Sequence, residues 1–235
     1  MVRHRHSATE RKSSDKPDDG TRPARILALL RREFPSAWTE LKHSNPFQLL
    51  IATILSAQCT DERVNALTPG LFAKYHGPRD FAHARPETLE QEIRSTGFFR
   101  MKTRNIIACS KALINDHDGM VPQRMEELVK LPGVGRKTAN VVLGQAFGIT
   151  AGIVVDTHVH RLSQRLGFSS AESAERVEED LMVLFNQKDW IDLGSVLILH
   201  GRRTCGARVP KCESCVVSGF CPSAFHVRGG KRVVS

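Results

Sequence analysis

The 235-residue sequence predicts an all-α fold. Apolar residues recur at helical spacing along nearly the whole chain, no segment alternates cleanly as a strand does, and connections are short and punctuated by proline and glycine. A first helix is expected over Arg25–Phe34, closed before Pro35. Pro46 opens a second, whose apolar face is Phe47, Leu50, Ile51, Ile54 and Leu55. Thr60–Tyr75 and Pro86–Ser95 follow. Lys102–Asn115 sets Ile106, Ile107, Leu113 and Ile114 on one face and stops at Asp118-Gly119. Arg124–Lys130 is a short helix leading into Gly133 and Gly135, and Arg136–Phe147 leaves that turn and ends at Gly148. Thr157–Leu166, Ala174–Phe185 and Trp190–Leu199 complete a set that packs helix on helix in one sizeable core or two lobes.

The formal net charge is +9, and it is unevenly placed. Residues 1–25 carry seven Lys/Arg against four Asp/Glu, residues 200–235 seven against one, and the stretch between twenty of each. Basic ends on a neutral middle suggest a polyanion partner, although residues 1–22 alone read equally well as a solubilising tail. That stretch lacks an apolar run, so it is no secretory signal and is expected to be disordered. No run approaches the roughly 20 apolar positions of a membrane span. Arg94, Arg100, Lys102, Arg104 and Lys111 form a basic run without an acid directly upstream of the glycine turn. Such a run is usually a solvated face; its place beside the turn favours contact with one phosphate backbone.

The most informative segment is Leu131–Asn140, LPGVGRKTAN. Gly133 and Gly135 allow positive φ and close approach of another backbone. Free N–H groups at the start of the following helix can then face a phosphate. A nucleotide P-loop would need glycine directly before the Lys-Thr pair, where Arg136 stands. Two readings remain: a plain αα-hairpin, and a hairpin binding the DNA backbone without reading sequence. Lys137 is either a phosphate contact or a nucleophile, and burial, a helix start and the neighbouring Arg136 would all favour the neutral amine that attacks. Asp156 lies 19 residues on, where the apolar run Ile153-Val154-Val155 delivers a carboxylate to a helix start. As an N-cap it stabilises by about 1 kcal/mol. Held still by that capping, it could also activate an amine and stabilise positive charge on a sugar. His158 and His160 form a His-x-His pair without an acidic ligand pattern, a poor metal site.

Four of six cysteines, Cys205, Cys212, Cys215 and Cys221, crowd near the C-terminus. Without an export signal this favours metal over disulfides. Four thiolates can hold a tetrahedral zinc ion or a [4Fe–4S] cluster. Only one spacing, Cys212-x2-Cys215, is a short knuckle, and the longer spans suit the larger cluster. Arg208 and Lys211 in the loop can aim cations at phosphate while a metal substitutes for a missing core. Cys59 and Cys109 read as small core residues.

The chain resembles the endonuclease III branch of the helix–hairpin–helix DNA glycosylases over roughly residues 25–222. LSAQCTD (55–61), LPGVGRKTAN (131–140), VDTHVHRL (155–162) and LILHGRRTC (197–205) with the cysteine spacing carry the likeness. The resemblance implies two helical lobes with DNA in the cleft between them. One is a six-helix domain with the hairpin (39–149); the other is an iron–sulfur cluster domain from 23–38 and 150–225, with a disordered basic tail at 1–22 and a basic tail at 226–235. It implies a bifunctional DNA glycosylase/AP lyase excising oxidised pyrimidines from duplex DNA, with Lys137 as the nucleophile at C1′ and Asp156 as the catalytic carboxylate. Cys205, Cys212, Cys215 and Cys221 would ligate the [4Fe–4S] cluster. Gly133, Val134, Gly135, Arg136, Arg208 and Lys211 would meet DNA, Gln58 would fill the void left by the extruded base, and Phe98, bulkier than the usual leucine, would wedge near the opposite strand. A monomer in the bacterial cytoplasm, associated with the nucleoid, is expected. Lys137 counts against the adenine-removing and thymine-mismatch relatives. A catalytically silent damage-binding protein and a zinc-dependent DNA-binding module are the competing classes.

Overall fold

The computed structural model describes residues 21–37, 39–228 and 231–232; the predicted tail at 1–22 lies almost wholly outside them. Helix α1 (Arg22–Glu33) begins three residues earlier than expected, because Pro23 fits its first turn. Helix α2 (Pro46–Ser56) is capped by Asn45, whose side chain accepts from the Gln48 N–H at 2.9 Å. Its buried residues run from Phe47 to Leu55 on every face and not on one stripe, so α2 is a central helix. Around it stand α3 (Asp61–Lys74), α5 (Pro86–Ile93), α6 (Phe99–His117), α7 (Met125–Leu128) and α8 (Arg136–Phe147). A five-residue helix, α4 (Pro78–Ala82), was not expected: it is too short for periodicity to show, yet it buries Phe81 against Phe47 and Tyr75.

A second core is built by α1 with α9 (Thr157–Arg165), α10 (Ala174–Leu184) and α11 (Trp190–Arg203). Ile26, Leu27, Leu30 and Phe34 pack here with Val159, Leu162, Val177, Leu181, Val196 and Leu197, although some 120 residues of chain intervene. Arg22 fixes that return, donating to the Leu166 carbonyl at 2.6 Å and the Phe220 carbonyl at 2.8 Å. The first core draws on Leu41 to Leu143, so the chain forms two helical lobes. The only strands among the described residues are β1 (Val227–Arg228) and β2 (Lys231–Arg232), an antiparallel ribbon in the C-terminal stretch read from sequence as a tail. Among the described residues no helix is long and apolar enough to cross a membrane.

Candidate active site

Between α7 and α8 the chain turns through Leu131–Gly135. Gly133 has φ +79°, and a Cβ there would lie 2.8 Å from Asn105 Cβ, so both conformation and space require glycine. Gly135 differs from expectation: its φ of −91° is open to any residue. It is the N-cap of α8, has no capping side chain, and is followed by no acid in the first turn. The first N–H groups of α8 are therefore left for an external anion. Val134 has its side chain buried in the first core, and its N–H donates to the Leu131 carbonyl at 3.1 Å, closing the turn.

Arg136 is not a free cation. Its Nε lies 2.8 Å from Glu178 Oε2, and the carboxylate raises the guanidinium pKa. Lys137, the next residue, is exposed. Burial and an unpaired Arg136 thus drop out of the environment expected for it, leaving the helix start. Lys137 and Asp156 line one open cavity between the lobes, without forming an ion pair. Asp156 is half-buried, and Oδ1 accepts from the His158 and Val159 N–H groups at 2.8 and 2.9 Å. Capping α9 in this way fixes the carboxylate and leaves Oδ2 directed to other partners. Across the cavity Arg202 of α11 pairs with Asp61 of α3 at 2.9 Å and with Glu40, tying the two lobes together. His158 and His160 share no site: His160 Nε2 meets the Glu172 carbonyl at 2.8 Å and His158 Nδ1 faces Arg161 at 3.2 Å.

Glu178 is a further residue of the site, on α10, that no sequence motif marks. Only 6 % of its side chain is exposed. It accepts from Arg136, from Asn140 Nδ2 at 2.9 Å and from the Ile153 N–H at 3.2 Å. A Cβ on Gly152 would lie 2.0 Å from Oε1, so that glycine makes room for the carboxylate. One side chain thereby joins the helix of Lys137 to the segment delivering Asp156. Its only sequence signal is its position next to the buried Val177 and three residues before Leu181. Glu178→Ala is expected to lower stability by about 3 kcal/mol in urea unfolding, chiefly through the stranded Asn140 and Ile153 donors, since half-exposed Arg136 can hydrate.

Gln58 and Phe98 are exposed, with φ of 53° and 47°. Left-handed backbone at non-glycine residues stores strain, as functional loops often do. Lys102, read as part of a phosphate-facing run, is instead buried. Cys109 is a core residue, its thiol pushed up to about 12 by burial, and Cys59 packs against the same core.

All six cysteines are free thiols, so the disulfide alternative falls away. Cys205, Cys212, Cys215 and Cys221 line a second, small cavity walled by Leu162, Arg165 and His200. Arg165 Nη1 donates to Cys205 Sγ at 3.2 Å. Burial, and the neighbouring Cys205 and Cys221, push the Cys215 thiol up to about 11, which a bound cation would reverse at that sulfur. Among the described residues no three His, Cys, Asp or Glu side chains converge closely enough for one ion. Four sulfurs lining one cavity without converging on a single point fit a polynuclear group better than a single zinc. Arg208 and Lys211 are exposed on the same loop, beside Val209 at 80 % exposure.

A glycine hairpin opening a helix at a two-lobe cleft, with a lysine and a capped carboxylate in that cleft, defines the helix–hairpin–helix class of base excision repair proteins. A family profile described as HhH-GPD superfamily base excision DNA repair protein matches residues 51–187. Endonuclease III of Synechocystis sp. is 52 % identical over 203 residues, 86 % of this chain and 93 % of that one. A non-covalent endonuclease III–DNA complex superposes with a TM-score of 0.82 at 47 % identity, covering 86 % of this chain and 95 % of that one. A trapped endonuclease III–DNA covalent intermediate gives 0.82 at 46 %, covering 86 % and 96 %. The chain belongs to the endonuclease III family, the DNA glycosylase/AP lyases of base excision repair.

Proposed function

We propose that the protein excises oxidised pyrimidines from duplex DNA and then cuts the strand 3′ to the abasic site by β-elimination from a Schiff base on Lys137. The observation that carries this is the shared cavity of Lys137 and Asp156, at the starts of α8 and α9. The damaged nucleotide leaves the stack at a cost of a few kcal/mol, least for a lesion. Lys137 Nζ attacks C1′, the glycosidic bond breaks and the base departs with its electron pair; the C1′–O4′ bond then opens, O4′ taking up the proton released from the amine, and C1′ becomes the carbon of the Schiff base. Asp156 offsets the positive charge gathering on the sugar and relays the amine proton. Loss of a C2′ proton from the resulting Schiff base then breaks the C3′–O bond.

Contacts in this reading go to the backbone: the N–H groups of Gly133 and Gly135, in the turn that the Val134 N–H closes, on one side, Arg208 and Lys211 on the other, with Gln58 and Phe98 entering the stack. Arg136 contributes through Glu178 more than through DNA. Cys205, Cys212, Cys215 and Cys221 would hold a [4Fe–4S] cluster, which when bound cross-links the loop in place of a core. The two hydrophobic cores support reading 39–149 as one domain and 23–38 with 150–225 as the other. The enzyme is taken to act as a monomer on damaged or abasic duplexes, in the bacterial cytoplasm at the nucleoid.

A cleavage panel tests the substrate class. Duplexes bearing thymine glycol, dihydrouracil or an abasic site should be cut, and those with a uracil mismatch or oxidised guanine cut poorly. Preference for the uracil mismatch would overturn the substrate class; binding without any cleavage would overturn the chemistry in favour of a silent damage-binding protein.

A further inference from the structure

The buried ammonium of Lys102 has no part in the chemistry above. This side chain is 2 % exposed and sits within the first core. Its Nζ donates to the Leu55 carbonyl at 2.7 Å and to the Thr96 carbonyl at 2.8 Å. Leu55 lies in the last turn of α2, where carbonyls lack partners and the helix end is negative. The next carbonyl, that of Ser56, accepts from the Cys59 N–H at 3.0 Å and closes the turn holding Gln58. Thr96 immediately precedes Gly97 and Phe98, with φ of 69° and 47°. The backbone N–H of Lys102 also donates to the Phe98 carbonyl at 3.1 Å, so that turn is gripped at both ends.

We infer that Lys102 is a positioning residue that locks the Gln58 turn to the Phe98 turn, so that both side chains enter the duplex as one rigid unit. This rests on the proposed reading of Gln58 and Phe98 as DNA-inserting residues. A buried charge without a carboxylate partner is costly, and a methionine would fill the same space more cheaply. Burial lowers the Lys102 pKa, which marks that cost. What lysine adds is a donor able to reach two carbonyls of separate turns at once. Both turns hold strained left-handed residues that relax when released. Filling the void of an extruded base and wedging the opposite strand need fixed mutual placement, and a misplacement of about 1 Å costs on the order of a hundredfold in rate.

The test uses the full-length protein and its Lys102→Met variant. Single-turnover excision of thymine glycol from duplex is expected to fall about ten- to a hundredfold. Cleavage at an abasic site in single-stranded DNA, which has no opposite strand to hold, should change by no more than about twofold. Amide exchange should quicken together in residues 56–59 and 96–99. Adding Phe98→Ala to Lys102→Met should cost little more than Phe98→Ala alone. An unchanged duplex rate, or equal losses on duplex and single strand, overturns the inference. If Gln58→Ala and Phe98→Ala themselves leave duplex excision intact, the insertion reading falls and takes this inference with it; if they slow it and Lys102→Met does not, only the inference falls. Should Lys102→Met fail to fold, Lys102→Gln, which reaches one carbonyl at most, carries the same test. In the wild-type protein the two turns should share one protection level, and independent exchange overturns the coupling.

Discussion

Lys137→Gln is expected to abolish both borohydride trapping and strand cleavage at thymine glycol and abasic sites. In a covalent mechanism the nucleophile is indispensable, and its loss costs at least about a thousandfold. Fold and DNA affinity should survive, because Lys137 is exposed on the second turn-position of α8 and no described side chain depends on it. Glutamine keeps most of the side-chain length and can still meet a phosphate. A gel showing equal adduct from the native protein and from Lys137→Gln would remove the nucleophile assignment. A parallel loss of DNA binding would instead recast Lys137 as a phosphate contact.

Asp156→Asn separates chemistry from capping. Asparagine is as good an N-cap as aspartate, so the bonds to His158 and Val159 N–H persist and stability changes little. The charge does not persist. Base release in single-turnover assays should slow by about 10²–10⁴ while affinity for an uncleavable abasic analogue stays near native. Asp156→Ala should show the same loss of rate and additionally lose about 1 kcal/mol of stability with the cap. If Asp156→Asn releases base at the native rate, the carboxylate is a cap alone; if affinity collapses with rate, its role is in holding the site together.

Much of the site was legible because its signals are local. Gly133 announces a left-handed turn, Asp156 announces a helix start after an apolar run, and four cysteines announce a metal-type loop by spacing. The helices from α2 to α11 follow from apolar periodicity, with errors where the pattern was too short, as at α4, or where fringes extend it, as at both ends of α6. The misreadings share one cause. Lys102 reads as a surface charge, the ion pair of Arg136 is invisible and the burial of Glu178 gives no pattern of its own, because a sequence shows a residue's chemistry without its neighbours. Arg136 and Glu178 meet across 42 positions and Lys102 reaches Leu55 across 47.

By itself the sequence determined the helical class, the glycine hairpin, the lysine beside it, the capped carboxylate and the cysteine loop, since each depends on interactions within a few residues. Only the tertiary structure decided that Lys137 and Asp156 open into one cavity, that Glu178 binds their two segments together, and that Lys102 joins the turns of Gln58 and Phe98. Those are burial and hydrogen-bonding facts between distant segments, and the cost of leaving a buried donor or charge unpaired exists only once the chain has closed around it.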